Sequence, residues 1–281
     1  MKYFLSCLLT TVILFACNTQ ETEVNPAQSK VHYDLGIELA SLSLYQNSLK
    51  EFALAIKFDP DNLKAFRKKG LVHFGLKQYD EAEKLFKKTI KLDPENVQAH
   101  INLGMVKYSK GDKNEAKKLW EYAIEIKNDD NDAKALNNIA NLYKEEKLYD
   151  KAIEYYKAAG KMDSKNMMYI DNLADVFRLR GEPDQAIRLL EKSLKLNGPG
   201  IATQFNLGKS YKDLKKFEKA IKAFKKSLKI NPALTEAHYQ IAQIKLVQKN
   251  QDSALKSIES AIKSDPSNLE YQEFRDKISD S

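Results

Sequence analysis

Beyond position 17 the chain contains no cysteine; its two, Cys7 and Cys17, both lie in the first 17 residues. Disulfide staples, CxxC redox chemistry and cysteine-ligated zinc are therefore excluded from the body of the protein. Glycine and proline are scarce, ten and seven in 281 residues, too few for a loop-rich all-β protein. The apolar run Phe4 to Phe15 is twelve residues long, short of the roughly 20 that a membrane-crossing helix needs. No Gly-rich phosphate loop occurs. Charge is not of one sign: 46 basic against 39 acidic residues leave a net +7, a mixed surface with a basic tilt rather than a polybasic tail. What is abundant is Lys, Glu, Ala, Leu and Asn, a composition that favours helix. The length suits one long or two ordinary domains.

The start of the chain reads as a targeting segment. Lys2 gives a short positive region, and Phe4 to Phe15 has the length of a signal-peptide core. The run ends in Leu14, Phe15, Ala16 and Cys17, which resembles the lipobox of bacterial lipoproteins, although Phe15 is bulkier than the usual residue. An ordinary secretory signal is the alternative, and Leu14 fits its cleavage rule poorly. The resemblance implies that 1–16 is removed and that Cys17 is lipidated at the mature N-terminus. Each buried acyl methylene contributes about 0.8 kcal/mol, so several chains on one cysteine form a stable anchor. Asn18 to Gln28 is polar and aperiodic, and 17–28 is expected to be a lipidated cysteine followed by a flexible tether. Asn18 is not the aspartate associated with inner-membrane retention, so the lipobox resemblance implies the outer membrane, facing the periplasm or the cell surface.

Four proline loops expose an internal period. Pro60 and Pro94 are 34 residues apart, as are Pro232 and Pro266, and the interval from Pro94 to Pro232 is four such periods plus two residues. The surplus falls at Asn128 to Asp132, giving units 29–62, 63–96, 97–130, 133–166, 167–200, 201–234 and 235–268. One site in each is small: Gly36, Gly70, Gly104, Ala140, Ala174, Gly208, Ala242. A second, twelve residues on, is Ser48, Ala82, Ala116, Ala152, Ala186, Ala220, Ala254. Four residues later stands a large side chain: Phe52, Phe86, Trp120, Tyr156, Leu190, Phe224, Ile258. Spacings of three and four place these on one helical face. Small residues let two antiparallel helices approach, and the large one fills the space beside them. Asp-Pro, or Asp163-Ser164 in its place, stops the second helix.

This pattern resembles the tetratricopeptide repeat (TPR) family over 29–268. The resemblance implies an all-α fold: a right-handed superhelical solenoid of seven helix–turn–helix repeats, with 269–281 forming a capping helix and tail, as solenoids require. It also implies a concave groove lined by the first helices. Two residues before the small site the chain carries Asp34, Lys68, Asn102, Asn138, Asn172, Asn206 and Gln240. Primary amides donate and accept, so such a ladder suits an extended peptide backbone. Equally, asparagine is simply common at this site in TPR sequences. Asn137 and Asn141 add amides, while Tyr33, Phe74, Tyr108, Phe205 and Tyr239, with Met105 and Met168, are candidate anchors. Lys64, Arg67, Lys68 and Lys134 make the N-terminal part of the groove basic, and Asp171 and Asp175 add acid further on. Arg67, Asn102 and Lys134 match part of a carboxylate clamp known in the family. Leu71 and Asn138 do not match, so no clamp is expected.

His32, His73, His100 and His238 are spread over separate units without an acid at ligand spacing, so no metal or cofactor is expected. Nothing sets a nucleophile beside a base, so no enzyme is expected. Lys84, Lys87, Lys88, Lys91, Lys222, Lys225, Lys226 and Lys229 read as solvated faces of second helices, with attraction to anionic lipid or cell-wall polymer as the sharper alternative. Nucleic acid is not expected as a partner. The expectation is a lipid-anchored scaffold in the cell envelope that holds a partner protein's segment or helix in the groove. The alternative is a structural spacer or oligomerisation element with an empty groove.

Overall fold

The computed structural model describes residues 24–126, 132–164 and 166–279. The leader 1–16, Cys17, the tether up to 23 and the surplus at 128–131 lie outside the described residues. Among the described residues there are fifteen helices and no strand. A first compact unit, Met1–Glu81, holds α1 (Pro26–Ser41), α2 (Tyr45–Phe58), α3 (Leu63–Gly75) and the start of α4 (Tyr79–Leu92). The second, Ala82–Ser281, holds the rest of α4 and the pairs α5 (Val97–Ser109) with α6 (Lys113–Glu125) and α7 (Asp132–Glu145) with α8 (Tyr149–Met162). It continues with α9 (Met167–Leu179) and α10 (Pro183–Asn197), α11 (Ile201–Asp213) and α12 (Phe217–Ile230), then α13 (Thr235–Val247) and α14 (Gln251–Ser264), and ends in α15 (Leu269–Ser279).

The proline loops do more than stop a helix. Asn62 and Asn96, the last residues of Asp-Pro-Asp-Asn and Asp-Pro-Glu-Asn, cap the helices that follow: their side chains accept from the N–H of Ala65 and Ala99. Asn166 does the same for α9. Each cap satisfies one of the four free N–H groups at a helix start. Asn25 caps α1, accepting from Gln28 N–H, and Pro26 occupies the first turn. Residues 26–28, expected to be tether, are therefore the first turn of α1. The Asn-Pro pair is a start signal that the aperiodic composition around it conceals.

The turn inside each helix pair is one motif repeated seven times. Ser43, Lys77, Gly111, Lys147, Gly181, Lys215 and Lys249 all have positive φ, between 56° and 91°. Each donates its N–H to a carbonyl three residues back, and the next residue reaches five back, as in Lys215 to Lys212 and Lys216 to Tyr211. This pairing satisfies the last carbonyls of the first helix and reverses the chain. Five of the seven are not glycine, although an L-residue there costs about 1–2 kcal/mol.

Helix pairs close on the small sites. At Gly104 a Cβ would lie 2.3 Å from Trp120 Nε1, and at Gly208 2.5 Å from Phe224 Cε1. Phe52, Phe86, Tyr156, Leu190, Phe224 and Ile258 are fully buried and Trp120 nearly so. The indole N–H of Trp120 donates to the Ile101 carbonyl at 3.1 Å, so its polar atom is satisfied inside the core. At the C-terminus α15 buries Tyr271 and Ile278 against Tyr239, Ala242 and Ile258. It covers the last helix pair, as a solenoid end requires.

Two stability changes follow. Gly104→Ala forces the indole to move and is expected to destabilise the fold by about 1–3 kcal/mol, with part of the loss recovered when Trp120→Leu is added, the partner that the alanine site Ala174 takes in Leu190. Lys215→Gly removes left-handed strain at the expense of extra freedom in the unfolded chain, for an expected net gain of roughly 0.5 kcal/mol. Chemical denaturation of the single and double variants measures both.

Candidate functional site

In the second unit the first helices of successive repeats are joined side to side by polar side chains. From α5 to α7, Tyr108 Oη donates to Glu145. From α7 to α9, Asn172 Nδ2 donates to Asn137 Oδ1 at 2.8 Å. From α9 to α11, Asn206 Nδ2 reaches the Asp171 carbonyl at 3.4 Å and Lys209 meets Asp175 at 3.1 Å. From α11 to α13, Lys212 donates to Gln240 and Gln243. One face of the unit is thus a continuous polar strip, built from the sites three and two before and one, four and five after the small residue.

This arrangement corrects the picture of a free amide ladder. Asn102 and Asn137 are buried, at 7% and 6% exposure, because neighbouring repeats pack over them. The amides of Asn172 and Asn206 are partly spent on the adjoining repeat, and Asn141 accepts from the Tyr156 hydroxyl. Asn138 stays half-exposed. Tyr239 is not an open anchor: α15 buries it, its hydroxyl donates to Glu270, and its ring meets Phe274 edge-on at 5.1 Å. Phe205 is half-buried, tilted against Phe224 at 5.5 Å, with Lys209 Nζ 5.5 Å from its ring centre. Tyr108 is half-buried and Met168 and Lys134 are exposed. Arg67 is half-buried on α3 in the first unit.

The two acids of α9 prove unlike. Asp175 is ringed by Arg178 at 3.0 Å, Lys209 at 3.1 Å and Lys144 at 3.7 Å, and Arg178 also pairs with Asp213. Burial alone pushes the Asp175 carboxyl up, but Lys209 and Arg178 outweigh it and hold it below its ordinary value. Asp171 is buried and has no cation paired with it among the described residues. Burial pushes it up to about 6, against one hydrogen bond from Thr203 Oγ1 at 3.0 Å. Its Oδ1 has no partner among the described residues, and neither has Asn102 Nδ2. Charge runs (Lys144, Asp175, Arg178, Lys209, Asp213) were legible only as scattered acids and lysines. The signal that unites them is their placement one, four or five residues after a small site.

The histidines take structural partners. His100 Nε2 lies 2.8 Å from the Pro94 carbonyl and His238 Nε2 3.2 Å from that of Pro232, six residues back in both cases. His32 pairs with Glu51 at 2.6 Å and stacks on Phe58, and His73 meets Gln78. Among the described residues no group of three His, Cys, Asp or Glu could hold a metal ion. No described helix is long and apolar enough to cross a membrane.

Asp171 gives a pH test. A carboxyl raised above its unfolded value makes the native state bind more protons, so stability falls as pH rises from about 4 to about 6 and then levels. Asp171→Asn keeps an acceptor for Thr203 and removes the charge. It is expected to match wild type at pH 4 and to exceed it at pH 8 by roughly 2 kcal/mol; parallel denaturation curves at both pH values would refute this.

Family models described as tetratricopeptide repeat match residues 33–97, 73–142, 133–166, 170–199, 201–234 and 235–268. No curated protein matches the chain. Among solved structures, the Cut9–Hcn1 hetero-tetramer of the APC/C is similar at TM-score 0.70 and 19% identity over 89% of this chain, which spans 48% of that one. A tetratricopeptide repeat protein from Parabacteroides merdae is similar at TM-score 0.69 and 13% identity, covering 90% of this chain and 99% of that chain. PilF of Pseudomonas aeruginosa gives TM-score 0.62 and 21% identity over 76% of this chain and 97% of its own. With the repeated turns, the small-to-large closures and these matches in one register, the chain belongs to the tetratricopeptide repeat family of protein-interaction scaffolds.

Proposed function

We propose that the protein is a non-enzymatic adaptor, lipid-anchored through Cys17 in the bacterial envelope, that holds a segment of a partner protein on the first-helix face of its second unit. The observation that carries the reading is the polar strip on that face, along which Asn138 and Phe205 stay half-exposed and Met168 exposed while the amides of Asn172 and Asn206 are tied to adjoining repeats. A free amide offers a donor and an acceptor to an extended peptide backbone, and the aromatic ring and the methionine offer apolar contact beside it. The fixed charges Lys144, Asp175, Arg178 and Asp213 lie beside them and favour a segment of mixed charge over a uniformly charged one. The tether keeps the face near its membrane and raises the effective concentration of partners there.

A spacer or oligomerisation element of an envelope assembly is the second reading. PilW, a solved structure with TM-score 0.65 and 17% identity, is described as a type IV pilus biogenesis factor. That likeness is one of fold.

A photocrosslinking residue at Asn138 is expected to give discrete adducts in cells, whereas the same residue at exposed Lys225 on α12 is expected to give few. Adducts at 225 and none at 138 would sink the face assignment and favour the spacer. For the anchor, Cys17→Ser is expected to move the protein from the membrane to the soluble fraction. Unchanged fractionation excludes lipidation at Cys17.

A further inference from the structure

One position of the repeat breaks its own rule. Six of the seven second helices carry a branched aliphatic residue at the same register, Ile56, Ile90, Ile124, Leu194, Leu228 and Ile262; the fourth carries Gly160. Ile124, Leu194, Leu228 and Ile262 pack against the core. At Gly160 a Cβ would meet nothing nearer than Tyr169 Cβ at 4.0 Å. Gly160 lines the floor of a surface groove of about 690 Å³ between α8 and α10, over α9. Ligand pockets span roughly 300–1,000 Å³. The glycine also weakens α8, since mid-helix Gly is about 1 kcal/mol worse than Ala.

The groove is chemically two-sided. Tyr156, Tyr169, Leu173 and Leu189 form apolar walls, and Leu196, 69% exposed, stands at the mouth. Lys157, Lys161 and Lys192 also line it, and no carboxylate does among the described residues. All three lysines are exposed, and none forms an ion pair among the described residues. A further wall residue, Ser193, is 1% exposed, and its hydroxyl has no partner. Its counterparts in other repeats are satisfied: Thr89 donates to the Leu85 carbonyl and Ser227 to that of Phe224. Lys157 Nζ stands 5.8 Å over the Phe177 ring, which leaves Lys161 and Lys192 as the two cations without a partner among the described residues. A buried free donor, these cations and an apolar groove call for one molecule with an alkyl body and an anionic head.

We propose that this groove is a binding site for a single-chain anionic amphiphile of the fatty-acid class. The alkyl chain lies on the floor at Gly160. The carboxylate meets the Lys161 and Lys192 rim, and Ser193 supplies a hydroxyl donor. Each methylene buried contributes about 0.8 kcal/mol, so the chain supplies affinity and the lysines select the charge. The site lies on different side chains from the strip proposed to hold a partner, so the two succeed or fail separately.

The full chain is titrated with a dansyl-labelled undecanoic acid and, separately, with its methyl ester. Saturable one-site binding of the acid is expected, weaker by at least about tenfold for the ester, for Gly160→Ile and for Lys161→Glu/Lys192→Glu. Crosslinking from Asn138 is expected to be unchanged in these variants. Absence of saturable binding overturns the proposal. So does wild-type affinity in Gly160→Ile with an unchanged circular dichroism spectrum, because the new side chain then occupies the floor on which the alkyl chain is placed. Equal affinity for acid and ester overturns the anionic class and leaves an apolar slot suited to a partner's side chain. Should Gly160→Ile fail to fold, the exposed double lysine variant decides, and unchanged affinity there overturns the assignment.

Discussion

Everything in the fold depends on how closely two antiparallel helices approach within a repeat. Gly104 lets the Trp120 ring press against the backbone of α5, and Gly36 and Gly208 do the same for Phe52 and Phe224. Where the small site is alanine, the large partner is differently shaped: Tyr156, Leu190 or Ile258. Burying one such side chain contributes about 1.5–3 kcal/mol, and the repeat supplies it once per helix pair. The left-handed turn residue sets the angle that makes the approach possible. It recurs in register through all seven turns, so strain at Lys77 or Lys249 is tolerated because the packing beyond it overdetermines the turn.

A stack held by nearest-neighbour contacts confines a local defect to its own repeat and the adjoining ones. Polar groups exploit this. Glu83 gathers Lys87, Lys107 and Lys110 within 2.8 Å, and hydrogen bonds from Lys107 and Lys110 hold its carboxyl far below the ordinary range. Asp175 is compensated in the same manner. Asp171, one helical turn away, has a single hydroxyl for company and keeps an orphaned oxygen. Burial is similar; only the number of nearby cations differs. Two acids in one helix therefore play opposite electrostatic roles, one fixing the stack and the other weakening it at neutral pH.

Periodicity made the architecture legible because the small and large sites are set by sterics, which depend on residue size alone. Helix number, pairing and the closing α15 all follow from that. Capping was less visible: Asn25 and Asn62 start helices inside segments whose composition suggests tether and loop. The face was legible as a stripe and illegible in its bonding. Whether Asn172 is free depends on whether Asn137 of the preceding repeat comes within 2.8 Å, a distance that residue identity does not encode. Tyr239 likewise reads as an exposed aromatic until α15 is laid over it.

Gly160 carries no signal in the sequence for a related reason. Glycine at a small site is informative because the site must be small, and attention falls on those columns. At a column of isoleucine and leucine a glycine satisfies no packing need, lowers helix propensity and leaves the floor of a groove uncovered. A defect of that kind in a core normally lowers stability in proportion to the cavity left. Here three lysines without acidic partners and one unsatisfied serine surround it, features that a merely imperfect core does not require. In a repeat protein the regular columns explain stability, and the departures from them mark where chemistry other than packing has a use for the space.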